Sequence, residues 1–281
     1  MGMIYSFCNQ KGGVGKTTSA VNLAYLTSSK GFNTLLVDMD AQGNATSGVG
    51  LDKDEVSSTS YQLLVDNLSV AEVVCDSEFD KLSVVVANSD LSGADLELFQ
   101  KEEREFILKK VLESAREKYD YIFIDCPPSL GLVTINCLVA SDYIIIPLQC
   151  EYYALEGLGQ LLRTFQLVKE NLHADLELGG VILTMADFRT NLTQQVIEEV
   201  KSHFNEKVFT NVIPRAVKLS EAPSFGKPAV LYDSQNKASK AYVALGNEFV
   251  KRFSKKDQGK EAVKGSQNTV QAVAAAKEIK S

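Results

Sequence analysis

The sequence has no pair of cysteines at Cys-x-x-Cys spacing, no apolar run of 18 residues and no excess of positive charge. Each absence removes a class of function. The five cysteines, Cys8, Cys75, Cys126, Cys137 and Cys150, are odd in number and sit mostly in apolar segments. They read as reduced, buried thiols of a cytosolic protein rather than as a zinc or iron-sulfur site. Without a long apolar run or a signal-peptide pattern, nothing points to export or membrane spanning. A formal net charge of -7 and a pI near 5.1 leave no global electrostatic case for nucleic acid, so any such contact needs a local patch. The charge is uneven, however. From Lys251 onward eight basic residues stand against three acidic ones, which makes that end +5 and the remainder -12.

What is present begins with Asn9-Gln10-Lys11-Gly12-Gly13-Val14-Gly15-Lys16-Thr17-Thr18. It follows a short apolar run over residues 3–8 and precedes Ala20, Leu23, Ala24 and Leu26 at helical spacing, so the context is strand, loop, helix. Such a glycine-rich loop turns its N–H groups around phosphate oxygens at a helix N-terminus, where unpaired donors and the helix dipole both favour an anion. The bland alternative is a glycine-rich turn with no ligand. Gly12, Gly13, Val14, Gly15, Lys16, Thr17 and Thr18 are therefore the candidate nucleotide-binding residues. Lys16 is expected on the β- and γ-phosphates and the Thr17 hydroxyl on Mg²⁺.

Residues 35–40 form a buried-type strand ending on Asp38 and Asp40, followed by a small, polar stretch over residues 41–48 that suits a switch loop. Asp40 is expected to orient or activate the attacking water, with Asp38 assisting; helix capping is the plainer reading of both. Residues 121–125 form another apolar strand closing on Asp125, the Walker B pattern, so Asp125 is expected at Mg²⁺, and the following Pro127 and Pro128 would stop the strand. Further helices are expected over residues 102–118, 131–140, up to 172, from 192 to 204 and over 242–253, with strands at 82–87, 143–147 and 208–213. Strand and helix alternate throughout, which predicts a single α/β P-loop NTPase domain over residues 1–253, a mostly parallel twisted sheet with helices on both faces. Residues 254–281, rich in Lys, Ala, Gln and Gly, read as a basic, disordered tail.

Lys11-Gly12-Gly13-Val14-Gly15-Lys16-Thr17 resembles the deviant Walker A motif of the ParA/MinD group of ATPases. The Asp38-x-Asp40-x-Gln42-Gly43-Asn44 stretch, Glu151-Tyr152-Tyr153-Ala154-Leu155-Glu156-Gly157 and Asp187-Phe188-Arg189-Thr190-Asn191 are similar to the Soj-type chromosomal ParA proteins. The resemblance covers about residues 1–253 and departs at Gln10, where a glycine is usual, at Ala41, where proline is common, and at Lys218, where arginine is frequent. It implies ATP and Mg²⁺ as cofactors, and Lys11 reaching the phosphates held by a second copy, so that ATP drives a homodimer. It also implies Pro214 and Arg215 beside the adenine, and Arg189 and Lys218 on a patch that binds DNA without sequence preference. Hydrolysis would be stimulated by a ParB-type centromere-binding protein, and the protein would be cytoplasmic and nucleoid-associated. The runner-up is a MinD-like division ATPase, but that class ends in a membrane-inserting helix, and beyond Phe253 there is no Trp, Phe or Leu to insert. A cluster carrier akin to nitrogenase iron protein needs cysteines presented at a dimer axis, which Cys126 and Cys137 do not obviously supply.

Overall fold

The computed structural model describes residues 1–151 and 154–254. Tyr152, Tyr153 and the expected tail from residue 255 lie outside them. Among the described residues seven strands, β1 (Met3–Phe7), β2 (Thr34–Asp38), β3 (Val74–Asp76), β4 (Leu82–Val85), β5 (Tyr121–Asp125), β6 (Tyr143–Gln149) and β7 (Glu177–Thr184), form one sheet. Their order is β3-β4-β2-β5-β1-β6-β7, and every pairing is parallel except that of the edge strand β3 with β4. The predicted fold class is the one observed.

Central parallel strands are covered on both faces, so they read as unbroken apolar runs whose alternate side chains enter two different cores. Ile4 and Cys8 belong to one core, Tyr5 and Phe7 to the other. The first core is closed by α2 (Ile107–Glu113), α3 (Leu132–Ala140), α4 (Ala154–Asn171) and α5 (Asn191–Phe204). The second is closed by α1 (Lys16–Ser28) and α6 (Lys237–Arg252). Aromatic packing ties α6 to the middle of the sheet: the Tyr5 ring lies 5.0 Å from Phe249 and 4.8 Å from Phe253. Burying one such ring contributes roughly 1.5–3 kcal/mol, which fixes the helix that backs α1.

The helix expected over 242–253 begins already at Lys237, and three further elements differ. The helix over 102–118 begins only at Ile107 and tightens into a 3₁₀ turn over Ser114–Glu117. Glu103, at φ 47°, takes a left-handed conformation that no α-helix continues through. The strand over 208–213 is reduced to bridges at Val208 and Pro214, because the Glu248 carboxylate accepts the Thr210 N–H at 2.8 Å and the Asn211 N–H at 3.3 Å. Those donors are satisfied by a side chain instead of a sheet ladder. Finally, β2 ends at Asp38, leaving Asp40 in the turn beyond it.

Candidate nucleotide-binding and hydrolysis site

In a sheet of this kind ligands bind beyond the carboxyl ends of the strands. The register puts Phe7 opposite Asp125, and Asp38 opposite Asp125, so the ends of β1, β5 and β2 lie level and adjacent. The loop after β1 is thereby set beside both carboxylates. Gly15, at φ 91°, opens α1 from a left-handed conformation that a β-carbon would strain. The first turn of α1 has no side-chain cap, which leaves its N–H groups facing the opening. Lys16 is 6% exposed and its Nζ lies 3.5 Å from the Lys11 carbonyl.

A cavity of about 820 Å³ opens here, and Gly12, Gly13, Gly15, Lys16, Thr17 and Thr18 form one wall. Asp40 and Arg215 also line it. Pro214 instead pairs with Ala186 as an isolated bridge, which sets Arg215 at the rim. On the far side, the Gly50 and Gly226 backbones meet so closely that a β-carbon on Gly226 would lie 2.7 Å from the Gly50 Cα. That contact joins the turn after residues 41–48 to the segment carrying Lys218.

The two strand-end aspartates occupy different surroundings from Asp40. Asp38 is wholly buried and accepts the Asp40 N–H at 3.1 Å, the Thr46 N–H at 2.8 Å and the Thr46 hydroxyl at 2.8 Å. Burial raises its pKa to about 6, against the lowering effect of those bonds. Its carboxylate therefore grips the backbone on which Asp40 and residue 46 are carried. Asp125 is also wholly buried, and among the described residues neither of its oxygens has a partner at hydrogen-bond geometry, although the Thr17 hydroxyl is close by. Burial and then the charge on Asp38 push its pKa well up, with the nearby Thr17 and Lys16 acting in the opposite direction. A buried carboxylate with two orphaned oxygens beside a threonine hydroxyl is a hard-oxygen donor set of the kind Mg²⁺ takes, directly or through its waters. The residues fit that ion.

Lys11 does not point at its own loop. Its Nζ lies 3.3 Å from Glu151 Oε2, and Arg215 meets Glu151 Oε1 at 2.7 Å, so one carboxylate bridges both cations at the rim. Arg189 and Lys218 lie on the neighbouring segments after β7 and after Pro214. Arg189, almost fully exposed, is paired with Asp187 at 2.6 Å, and Lys218 with Glu221 at 2.7 Å. Lys16, Thr17, Asp40 and Arg215 thus line one cavity, Asp38 and Asp125 are buried at the strand ends beside it, Lys11 is joined to Arg215 through Glu151, and Arg189 and Lys218 are not among its walls.

A family model described as an AAA domain matches residues 2–178. The sporulation initiation inhibitor protein Soj of Bacillus subtilis is 53% identical over 248 residues, 88% of this chain and 98% of that protein. The chromosome partitioning protein ParA of Myxococcus xanthus is 52% identical over 252 residues, 90% of this chain and 89% of that one. This chain belongs to the ParA/Soj family of chromosome-partitioning ATPases. Among solved structures, cobyrinic acid a,c-diamide synthase of Mycobacterium smegmatis with bound ADP and magnesium superposes with a TM-score of 0.80 at 31% identity, covering 91% of this chain and 97% of that one. A ParA/Soj fold is thus shared with a differently named enzyme, and the family assignment rests on the sequence relatives. The sequence by itself assigns no role to Glu151, Thr46, Gln149 or Thr184. The available signal was a polar residue at the carboxyl end of a buried strand, which marks Gln149 on β6 and Thr184 on β7.

Proposed function

We propose that this ParA/Soj-family chain hydrolyses ATP to ADP and phosphate as a switch for DNA segregation. ATP would form a sandwich homodimer that holds DNA without sequence preference, and a ParB-type partner would trigger hydrolysis and release. The observation that carries the reading is a cavity walled by Lys16, Thr17 and Asp40, with the buried Asp125 carboxylate close to Lys16 and Thr17 and with Lys11 turned to Glu151.

The loop N–H groups and Lys16 would bind the phosphates, and Asp40 would orient the water for in-line attack while Asp38 holds the Asp40 backbone. Thr17 and Asp125 would hold Mg²⁺, which when bound neutralises charge on the phosphoryl oxygens. Lys11 would leave Glu151 for the triphosphate of the second subunit. Arg189 and Lys218 would contact DNA phosphates, giving binding that weakens steeply with salt. The protein would then sit on the nucleoid in its ATP state.

The test is the ATPase rate with and without non-specific duplex DNA and a ParB-type peptide. Slow turnover alone, with a synergistic rise when both are added, is expected. A rate that neither additive changes would remove the segregation reading. ATP-dependent flotation with liposomes would favour the MinD-like one.

A further inference from the structure

Two side chains outside the loop each hold one of its carbonyls. Gln149, the last residue of β6, donates from Nε2 to the Gly13 carbonyl at 3.0 Å, and Thr184, the last residue of β7, donates from Oγ1 to the Val14 carbonyl at 2.8 Å. Both are more than nine-tenths buried, at 8% and 2% exposure. They are also opposite one another in the β6–β7 register, so one rung of the sheet presents both donors.

In a planar trans peptide the C=O and the following N–H point in opposite directions. Drawing the Gly13 carbonyl toward β6 therefore sends the Val14 N–H to the other side, and drawing the Val14 carbonyl toward β7 does the same for the Gly15 N–H. Among the described residues neither N–H has a protein acceptor. The orientation of the Gln149 amide follows from its partners, since turned over its oxygen would face the Gly13 carbonyl. Held this way, its own Oε1 is buried with no partner among the described residues. An unpaired buried acceptor is destabilising, so the amide is kept in this pose at the expense of its own oxygen.

We infer that Gln149 and Thr184 are positioning residues that pre-set the phosphate cradle by clasping successive loop carbonyls, aiming the Val14 and Gly15 N–H groups at a nucleotide β-phosphate before it arrives. The inference rests on the nucleotide-binding reading above. A loop whose donors are already aimed loses less freedom on binding, so the clasp acts on affinity for the phosphate chain.

The test measures ADP binding by calorimetry to the full chain in Mg²⁺ for wild type, Thr184→Val, Thr184→Ser and Gln149→Leu, with the melting temperature of each nucleotide-free protein. Thr184→Val keeps the shape but not the hydroxyl and is expected to bind ADP about tenfold more weakly. Thr184→Ser keeps the hydroxyl and is expected within about twofold of wild type. In amide proton spectra, ADP should shift both the Val14 and Gly15 resonances in wild type, the Gly15 shift alone being reduced in Thr184→Val and the Val14 shift alone in Gln149→Leu. Thr184→Val binding like wild type, or Thr184→Ser binding as weakly as Thr184→Val, overturns the clasp. Wild type failing to bind ADP overturns instead the nucleotide reading beneath it, and the two failures are distinct. Should Gln149→Leu not fold, the Thr184 pair and the Gly15 resonance decide the matter alone.

Discussion

Asp38→Asn should change how the nucleotide-free protein responds to pH. An acid whose pKa is raised on folding keeps its proton in the folded state at pH values where the unfolded chain has already lost it, so stability falls as pH rises through that window. For Asp38 the window runs from its ordinary value of 3.8 to about 6, and the cause is complete burial. The difference corresponds to about 3 kcal/mol of stability present below pH 4 and gone above pH 6. Because Asp38 and Asp125 face each other across the β2–β5 register, the titration step belongs to the pair, and removing the Asp38 charge relieves Asp125 as well.

Asparagine keeps an acceptor for Thr46 but turns an NH₂ toward the Asp40 N–H, losing that bond at a cost of about 1 kcal/mol. At pH 4.2 the variant should therefore be slightly less stable than wild type, and at pH 7 more stable by about 2 kcal/mol. That is roughly 4–8 °C in melting temperature for a domain of this size. Urea denaturation followed by circular dichroism at the two pH values, at low protein concentration because the pI is near 5.1, measures it. A variant whose stability changes with pH as steeply as wild type would refute the assignment of that step to the buried pair.

Other outcomes follow from the proposed function. Lys11→Ala should still bind ATP as a monomer but fail to dimerise in light scattering, and a dimer as tight as wild type contradicts a role across subunits. Asp40→Ala should retain nucleotide binding while turnover falls by about 100-fold or more. A smaller loss would return Asp40 to the role of a turn residue. Arg189→Ala should weaken DNA binding equally for all sequences and reduce the slope of log affinity against log salt by about 0.9. An unchanged slope removes it from the interface.

The fold and the cavity were legible because their signals are local. A glycine-rich loop between an apolar run and a helical pattern, and aspartates closing apolar runs, mark strand ends wherever the strands are later placed. The sheet order then only had to bring β1, β2 and β5 together. The signals that failed are relational. Nothing in Glu248 marks it as the acceptor for Thr210 and Asn211, 37 or more residues away, yet that carboxylate replaces a strand. Glu103 at positive φ shortens a helix that its charge pattern supports. Glu151 was visible as part of a resemblance, but its bridging of Lys11 and Arg215 requires the ends of three segments to meet. The clasp by Gln149 and Thr184 was hidden for the same reason: each is one polar residue ending an apolar strand, and its partner is a backbone carbonyl with no residue type.

One pattern runs through Arg215 at the cavity and the three cations assigned to a second subunit or to DNA. Lys11 and Arg215 share Glu151, Arg189 holds Asp187 and Lys218 holds Glu221. The Asp187 carboxyl is lowered to about 2 chiefly by its hydrogen bonds with Arg189. Each phosphate contact, to nucleotide or to DNA, would therefore exchange a carboxylate for a phosphate instead of capturing a waiting charge. Exposed ion pairs contribute little in water, so the exchange is nearly balanced for each residue and is tipped by the number of contacts made together. On the proposed function, a surface built this way would hold DNA weakly as a monomer and more firmly when two copies present their patches side by side, because the second set of contacts would form at high effective concentration. The same balance would make release easy once the copies part. Lys16 differs in being buried against the loop, and it is the one lysine of the set whose task, on the proposed function, is the same in every state of the cycle.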